Sequence, residues 1–66
     1  MSNIVLLAKE YEQSANLLER RLKQLQQNAP SVRGLEALEL QKRMELLSAE
    51  LYHTRKIRSY LLHYYS

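Results

Sequence analysis

Hydrophobic residues in the first part of the chain recur at alternating intervals of three and four positions. This spacing places them on one side of an α-helix, as in the a and d positions of a coiled-coil heptad. Charged and amide side chains occupy the opposite side, with Leu6 and Leu17 as isolated exceptions. The pattern predicts an amphipathic helix from residue 2 to about residue 28. Its apolar positions are Met1, Ile4, Ala8, Tyr11, Ala15, Leu18, Leu22, Leu25 and Ala29.

The second part of the chain carries two hydrophobic stripes instead of one. Because successive helical residues are rotated by about 100°, the two stripes lie on nearly opposite sides of one helix. We predict this helix from about residue 32 to residue 65. The first stripe is the more continuous in the middle of the helix, which favours it as the face toward the first helix, but the end of the helix uses both stripes and the sequence leaves the assignment open. The first stripe contains Leu40, Met44, Leu47, Leu51, Leu61 and Tyr65, and the second contains Leu35, Leu38, Leu46, Ala49, Ile57, Tyr60 and Tyr64.

The segment QQNAPSVRG separates the two helical patterns. Pro30 disfavours helical geometry in the residue before it, Asn28 can end a helix in the left-handed conformation, and Ser31 can cap the next helix. A connection this short makes the two helices antiparallel neighbours. We therefore predict an all-α hairpin that forms a single domain over residues 1–66, with its turn at about residues 28–32.

A two-helix hairpin can cover only one stripe of the second helix. A chain of 66 residues buries only about 60% of its unfolded surface, and the absence of cysteine excludes disulfides. We expect the chain to dimerise into an antiparallel four-helix bundle. This arrangement resembles the Rop-like bundles in architecture alone, without a shared motif.

The expected contact surface combines the second stripe with the end of the second helix. A turn centred on Pro30 makes the last residues extend beyond the start of the first helix, where their apolar side chains need a partner. The predicted contact residues are Leu46, Ala49, Ile57, Tyr60, Leu61, Tyr64 and Tyr65. We interpret the chain as a small, cytoplasmic, non-enzymatic regulatory module that self-associates, with a homodimer favoured, and that could present its remaining apolar surface to a larger protein. The sequence leaves open whether the assembly is a dimer, a tetramer or a complex with another protein.

Nucleic-acid binding is the alternative function. The net charge is +3, and residues 51–66 carry three basic residues and no acidic one. Arg55, Lys56 and Arg58 could contact phosphates, and Tyr52 could stack on an unpaired base.

Other chemistry has less support in the sequence. Glu50 and His53 match the Glu-x-x-His pair of di-iron bundles, with Glu10 opposite, but the motif occurs once and Glu10 points away from the helix seam. No glycine-rich phosphate loop or nucleophile motif is present. We expect no catalytic residue, metal or cofactor. No segment approaches the roughly 20 apolar residues of a membrane span. We also expect no binding at a membrane surface, because anionic lipid would repel Glu36, Glu39, Glu45 and Glu50 on the polar face of the second helix.

Overall fold

The protein is a pair of long helices packed against each other. A computed structural model of the chain describes residues 2–65. Helix α1 spans Ser2–Asn28 and helix α2 spans Leu35–Tyr65. The Cα trace measures 50 × 14 × 12 Å, so the molecule is a rod two helices wide. The predicted all-α hairpin is confirmed.

The end of α1 differs from the prediction. Asn28 keeps right-handed dihedral angles (φ −85°, ψ −17°), so the left-handed ending expected there is wrong. The chain continues instead into a 3₁₀ turn over Ala29–Ser31. The hydroxyl of Ser31 donates to the carbonyl oxygen of Asn28 at 2.8 Å. Ser31 therefore completes the end of α1 and does not cap α2.

Gly34 makes the reversal that leads into α2. Its φ is +69°, in the left-handed region that glycine enters without steric cost. Its carbonyl oxygen accepts hydrogen bonds from the amides of Ala37 (3.1 Å) and Leu38 (3.3 Å). Helix α2 consequently begins at Leu35, three residues later than predicted at Val32.

The seam between the helices is the one predicted for α1. Ala8 and Ala15 are 2% and 1% exposed, and Leu51 of α2 is 8% exposed. The remaining apolar seam positions of α1 whose side chains are described are half-buried. The apolar residues of the first stripe whose side chains are described are all buried or half-buried, so this stripe faces α1. They are Leu40, Met44, Leu47, Leu51 and Leu61.

Two polar residues complete this seam where the first stripe has a gap. Thr54 and Arg58 lie between Leu51 and Leu61 at seam spacing, and both are half-buried. The hydroxyl of Thr54 donates to the carbonyl oxygen of Glu50 at 2.7 Å, within its own helix. The seam is therefore apolar near the turn and partly polar toward the other end.

The two helices also pair in a different register from the predicted one. A turn centred on Pro30 would place Glu19 beside Gln41, whereas the structure pairs Glu19 with Arg55. The side chains of Glu19 and Arg55 account for part of this shift, because each is long and leans toward the N-terminus of its own helix. The start of α2 at Leu35 instead of Val32 accounts for another part. Leu61 is half-buried and does not extend beyond α1 as expected.

Candidate protein-interaction surface

The second stripe of α2 is exposed along its whole length. We call it the outer stripe and define it by Leu35, Leu38, Leu46, Ala49, Ile57, Tyr60 and Tyr64, all of them exposed. Leu35 is 76% and Leu46 66% exposed, which is high for large apolar side chains. Lys42 interrupts it between Leu38 and Leu46, and His53 interrupts it between Ala49 and Ile57. A row of exposed apolar side chains of this length typically marks an interaction site.

The outer stripe faces away from α1. Tyr60 lies about 220° around the helix from Leu47, at about 100° per residue. Leu47 is half-buried against α1, whereas Tyr60 is 55% exposed. Only another molecule can therefore cover the outer stripe while the hairpin keeps this packing.

Most of the predicted contact residues lie on this surface. Of the seven, Leu61 is half-buried on the side facing α1, and the side chain of Tyr65 lies outside the described residues. The other five belong to the outer stripe. Leu35 and Leu38, which the sequence placed on the same stripe, extend the exposed surface to the start of α2.

Tyr60 and Tyr64 form a stacked pair one helical turn apart. Their ring centroids are 4.7 Å apart, and the rings are inclined by 29°. Stacking limits the freedom of both side chains before any partner binds. Side chains that are already ordered lose less entropy on binding, which favours association.

A groove lies on the outer stripe beside this pair. His53, Lys56, Ile57 and Tyr60 line a volume of about 260 Å³. These residues follow one another at intervals of three, one and three positions. The groove is therefore the gap between two successive turns of α2, with room for a side chain from outside the hairpin.

The hairpin exposes more surface than a compact monomer of its mass. The chain exposes 5577 Å², whereas a compact monomer of its mass exposes about 4,400 Å². The excess, about 1,200 Å², is larger than the roughly 800 Å² that each partner buries in a standard-size protein interface.

Two of the predicted phosphate contacts form ion pairs with α1. Arg55 pairs with Glu19, and the guanidinium of Arg58 lies 3.8 Å from the carboxylate of Glu12. A hydrogen bond and the charge of Lys23, followed by the charge of Arg55, hold the pKa of Glu19 below its ordinary value. These carboxylates lower the positive potential that the C-terminal part of α2 offers to a phosphate.

The sequence interpretation missed the partners of these arginines. Glu12 and Glu19 are seven positions apart and flank the apolar seam of α1. Flanking positions of a coiled-coil seam commonly carry charges that pair with the facing helix. The heptad pattern therefore contained a signal for both residues.

Lys56 and Tyr52 are associated with each other. The Lys56 amino group donates to the Tyr52 hydroxyl at 3.3 Å and lies 5.2 Å from the centre of its ring. Tyr52 is 59% exposed but lies beside the outer stripe, not on it. A shallow depression of about 500 Å³ runs next to Tyr52. Nucleic-acid binding at this surface stays a prediction.

The candidate metal pair acquires no third ligand. Glu10, Glu50 and His53 are all exposed. Among the residues that the structure describes, no group of three or more histidine, cysteine or acidic residues could hold a metal ion. Over the same part of the chain, neither helix is both long and apolar enough to cross a membrane.

Comparisons with known proteins add no functional assignment. No family model, curated protein or solved structure matches this chain. The class of the protein is therefore given by its own features: an all-helical hairpin with an uncovered apolar stripe on its longer helix.

Proposed function

We propose that this chain is a non-enzymatic protein-association module that acts through the outer stripe of α2 and pairs with itself to give an assembly of four helices. The observation that carries the proposal is the exposed apolar face on the side of α2 opposite α1. Monomeric proteins seldom leave such a face uncovered along a helix of 31 residues.

The small core of the hairpin supports the same proposal. Among the residues that the structure describes, the buried apolar side chains are Ala8, Ala15 and Leu51, and two of these are alanines. Helices in proteins owe most of their stability to packing of their apolar faces. A second covered face on α2 adds packing that the hairpin lacks, so folding and association are expected to be coupled.

A matched pair of substitutions tests the proposal. Ile57 of the outer stripe is 41% exposed, and Leu17, an isolated residue on the outer side of α1, is 46% exposed. We expect Ile57→Glu to dissociate or unfold the protein, because the new carboxylate must be desolvated in the interface. Leu17→Glu should leave the assembly intact.

Sedimentation equilibrium over a wide concentration range is the primary measurement, supported by thermal melts. A coupled dimer melts at a temperature that rises with protein concentration. A folded monomer at every concentration, or equal effects of Ile57→Glu and Leu17→Glu, would contradict the proposal.

A further inference from the structure

We propose that the occupant of the outer stripe is the α2 helix of a second copy, lying antiparallel to this α2 on the side away from α1. The inference rests on the proposed function and specifies its partner and geometry. The four helices then form a row, with the two α2 helices in the middle and one α1 at each edge.

The two opposite apolar faces of α2 argue against a square arrangement. In a square bundle the apolar positions of every helix converge on one central core, so each helix needs a single a/d-type face. Helix α1 has one such face along its length, the seam with α2, and its other exposed apolar residues are Val5, Leu6 and Leu7 in the first two turns and the isolated Leu17. Helix α2 has two such faces on opposite sides. It can therefore pack between two helices, whereas α1 can pack against only one.

The groove on the outer stripe supplies the first argument for a helix as occupant. In coiled coils each apolar knob inserts into a hole formed by four residues of the facing helix. The groove residues His53, Lys56, Ile57 and Tyr60 have the spacing of such a hole. The knob has to be an exposed apolar side chain at the matching level of the partner.

Leu46 is that knob when two copies pair antiparallel. Full overlap of two α2 helices places the two-fold axis near Glu50, the midpoint of Leu35–Tyr65. The partner's Leu46 then lies at the level of Thr54, beside the groove. Leu46 is 66% exposed, so it is available for this contact. In a parallel pair Leu46 would face its own copy, and the groove would receive no leucine.

The charge distribution along α2 gives the second argument. Residues 35–50 carry four acidic and two basic residues, and residues 51–65 carry three basic residues and no acidic one. Arg55 and Arg58 pair with Glu19 and Glu12 of α1, so the basic charge that antiparallel pairing brings to the partner's acidic half is chiefly that of Lys56. Antiparallel pairing also opposes the two helix dipoles favourably. Parallel pairing would place like charges together.

One pair of charges lies directly beside the outer stripe. Glu45 and Lys56 are both exposed and lie on the same flank of α2. A two-fold axis near Glu50 brings Lys56 to within about one residue of the level of the partner's Glu45. The symmetry forms this ion pair twice in each dimer.

The ends of α2 are complementary in the same orientation. Leu35 and Leu38 are exposed at the start of the helix, and the stacked rings of Tyr60 and Tyr64 lie near its other end. Antiparallel overlap places the leucines of one copy over the tyrosines of the other. Contact between these leucines and tyrosines buries apolar surface that is exposed to solvent in the separate hairpins.

Charge reversal tests the orientation. At low ionic strength we expect Glu45→Lys and Lys56→Glu each to weaken the dimer roughly tenfold, because each makes both charge pairs repulsive. An equimolar mixture of the two variants should regain most of the wild-type affinity. In that heterodimer both pairs again join opposite charges. Sedimentation equilibrium measures all three dissociation constants.

A charge reversal on α1 serves as the control. Lys9→Glu changes an exposed lysine of the edge helix and should leave the dissociation constant unchanged. If the mixture of Glu45→Lys and Lys56→Glu dimerises no better than the separate variants, the antiparallel arrangement is wrong. A dissociating effect of Ile57→Glu would still support the proposed function in that case. A wild-type chain that stays monomeric contradicts both.

A distance measurement tests the orientation without changing the charge pair. The chain has no cysteine, so Glu39→Cys can carry a single spin label on each copy. Antiparallel overlap separates the two labels by roughly 33 Å along the helix axis at about 1.5 Å per residue. Parallel helices would bring them to within about 15 Å, close to the 8–10 Å spacing of packed helices. The short distance would overturn the proposal.

Discussion

Removal of the Tyr60 side chain should weaken the dimer about a hundredfold. Tyr60 is 55% exposed in the isolated hairpin. Of the roughly 200 Å² that a tyrosine side chain can bury, about 110 Å² is therefore still accessible to a partner. If the partner covers half of this, each chain loses about 1.4 kcal/mol at 25 cal/mol per Å². The two-fold symmetry doubles the loss to about 2.8 kcal/mol, equivalent to about a hundredfold change in Kd.

Tyr60→Ser is the preferred change because tyrosine and serine have similar helix propensities. The matched control is Tyr52→Ser. Tyr52 lies on the same helix and is 59% exposed, but it is beside the outer stripe. Both variants lose the same chemical group. Tyr52→Ser removes the contact with Lys56 but no surface of the outer stripe, so it should change self-association much less than Tyr60→Ser.

The dissociation constants are measured by sedimentation equilibrium, with circular dichroism melts at several concentrations as a second readout. Because the expected loss comes from the interface, the melting temperature of Tyr60→Ser should fall most at low protein concentration. Equal dissociation constants for Tyr60→Ser and Tyr52→Ser would refute the reasoning.

The ion pairs, the turn and the basic residues give four further predictions. Lys23 holds the pKa of Glu19 below its ordinary value of 4.5, so the ionised carboxylate stabilises the folded protein. Glu19→Gln should therefore lower the free energy of unfolding above pH 4.5, and the difference from the wild type should disappear as the pH falls through the lowered pKa. Chemical denaturation of both proteins at several pH values measures this difference. Arg58→Leu should raise stability by about 1 kcal/mol, because the seam would become apolar where a buried Nε lacks a hydrogen-bond partner; an unchanged or lower melting temperature would contradict this. Gly34→Ala should cost about 1 kcal/mol in chemical denaturation, because φ is +69° although nothing lies within 4 Å of the added Cβ. We expect no shift of mixed RNA or DNA at near-physiological salt; a shift that Lys56→Ala abolishes would support the nucleic-acid alternative.

The periodicity of the sequence determined the helices and their faces. Every apolar seam position predicted for α1 that the structure describes is buried or half-buried, and the two stripes of α2 separate into a covered and an exposed one. Both results depend on the rotation per residue of a single helix, which a sequence specifies directly. The outer stripe, and hence the candidate surface, was predictable for this reason.

The tertiary structure decided the turn, the register and the roles of the polar residues. Asn28, Ser31 and Gly34 could each have supported the reversal locally, and the conformation of the whole connection assigned it to Gly34. That assignment shifted the start of α2. The spacing within α2 puts Arg58 on the seam, and the register of the two helices brings it near Glu12 instead of leaving it on a free basic patch. Such pairings depend on where two helices meet along their lengths, and no repeat within either helix specifies that distance.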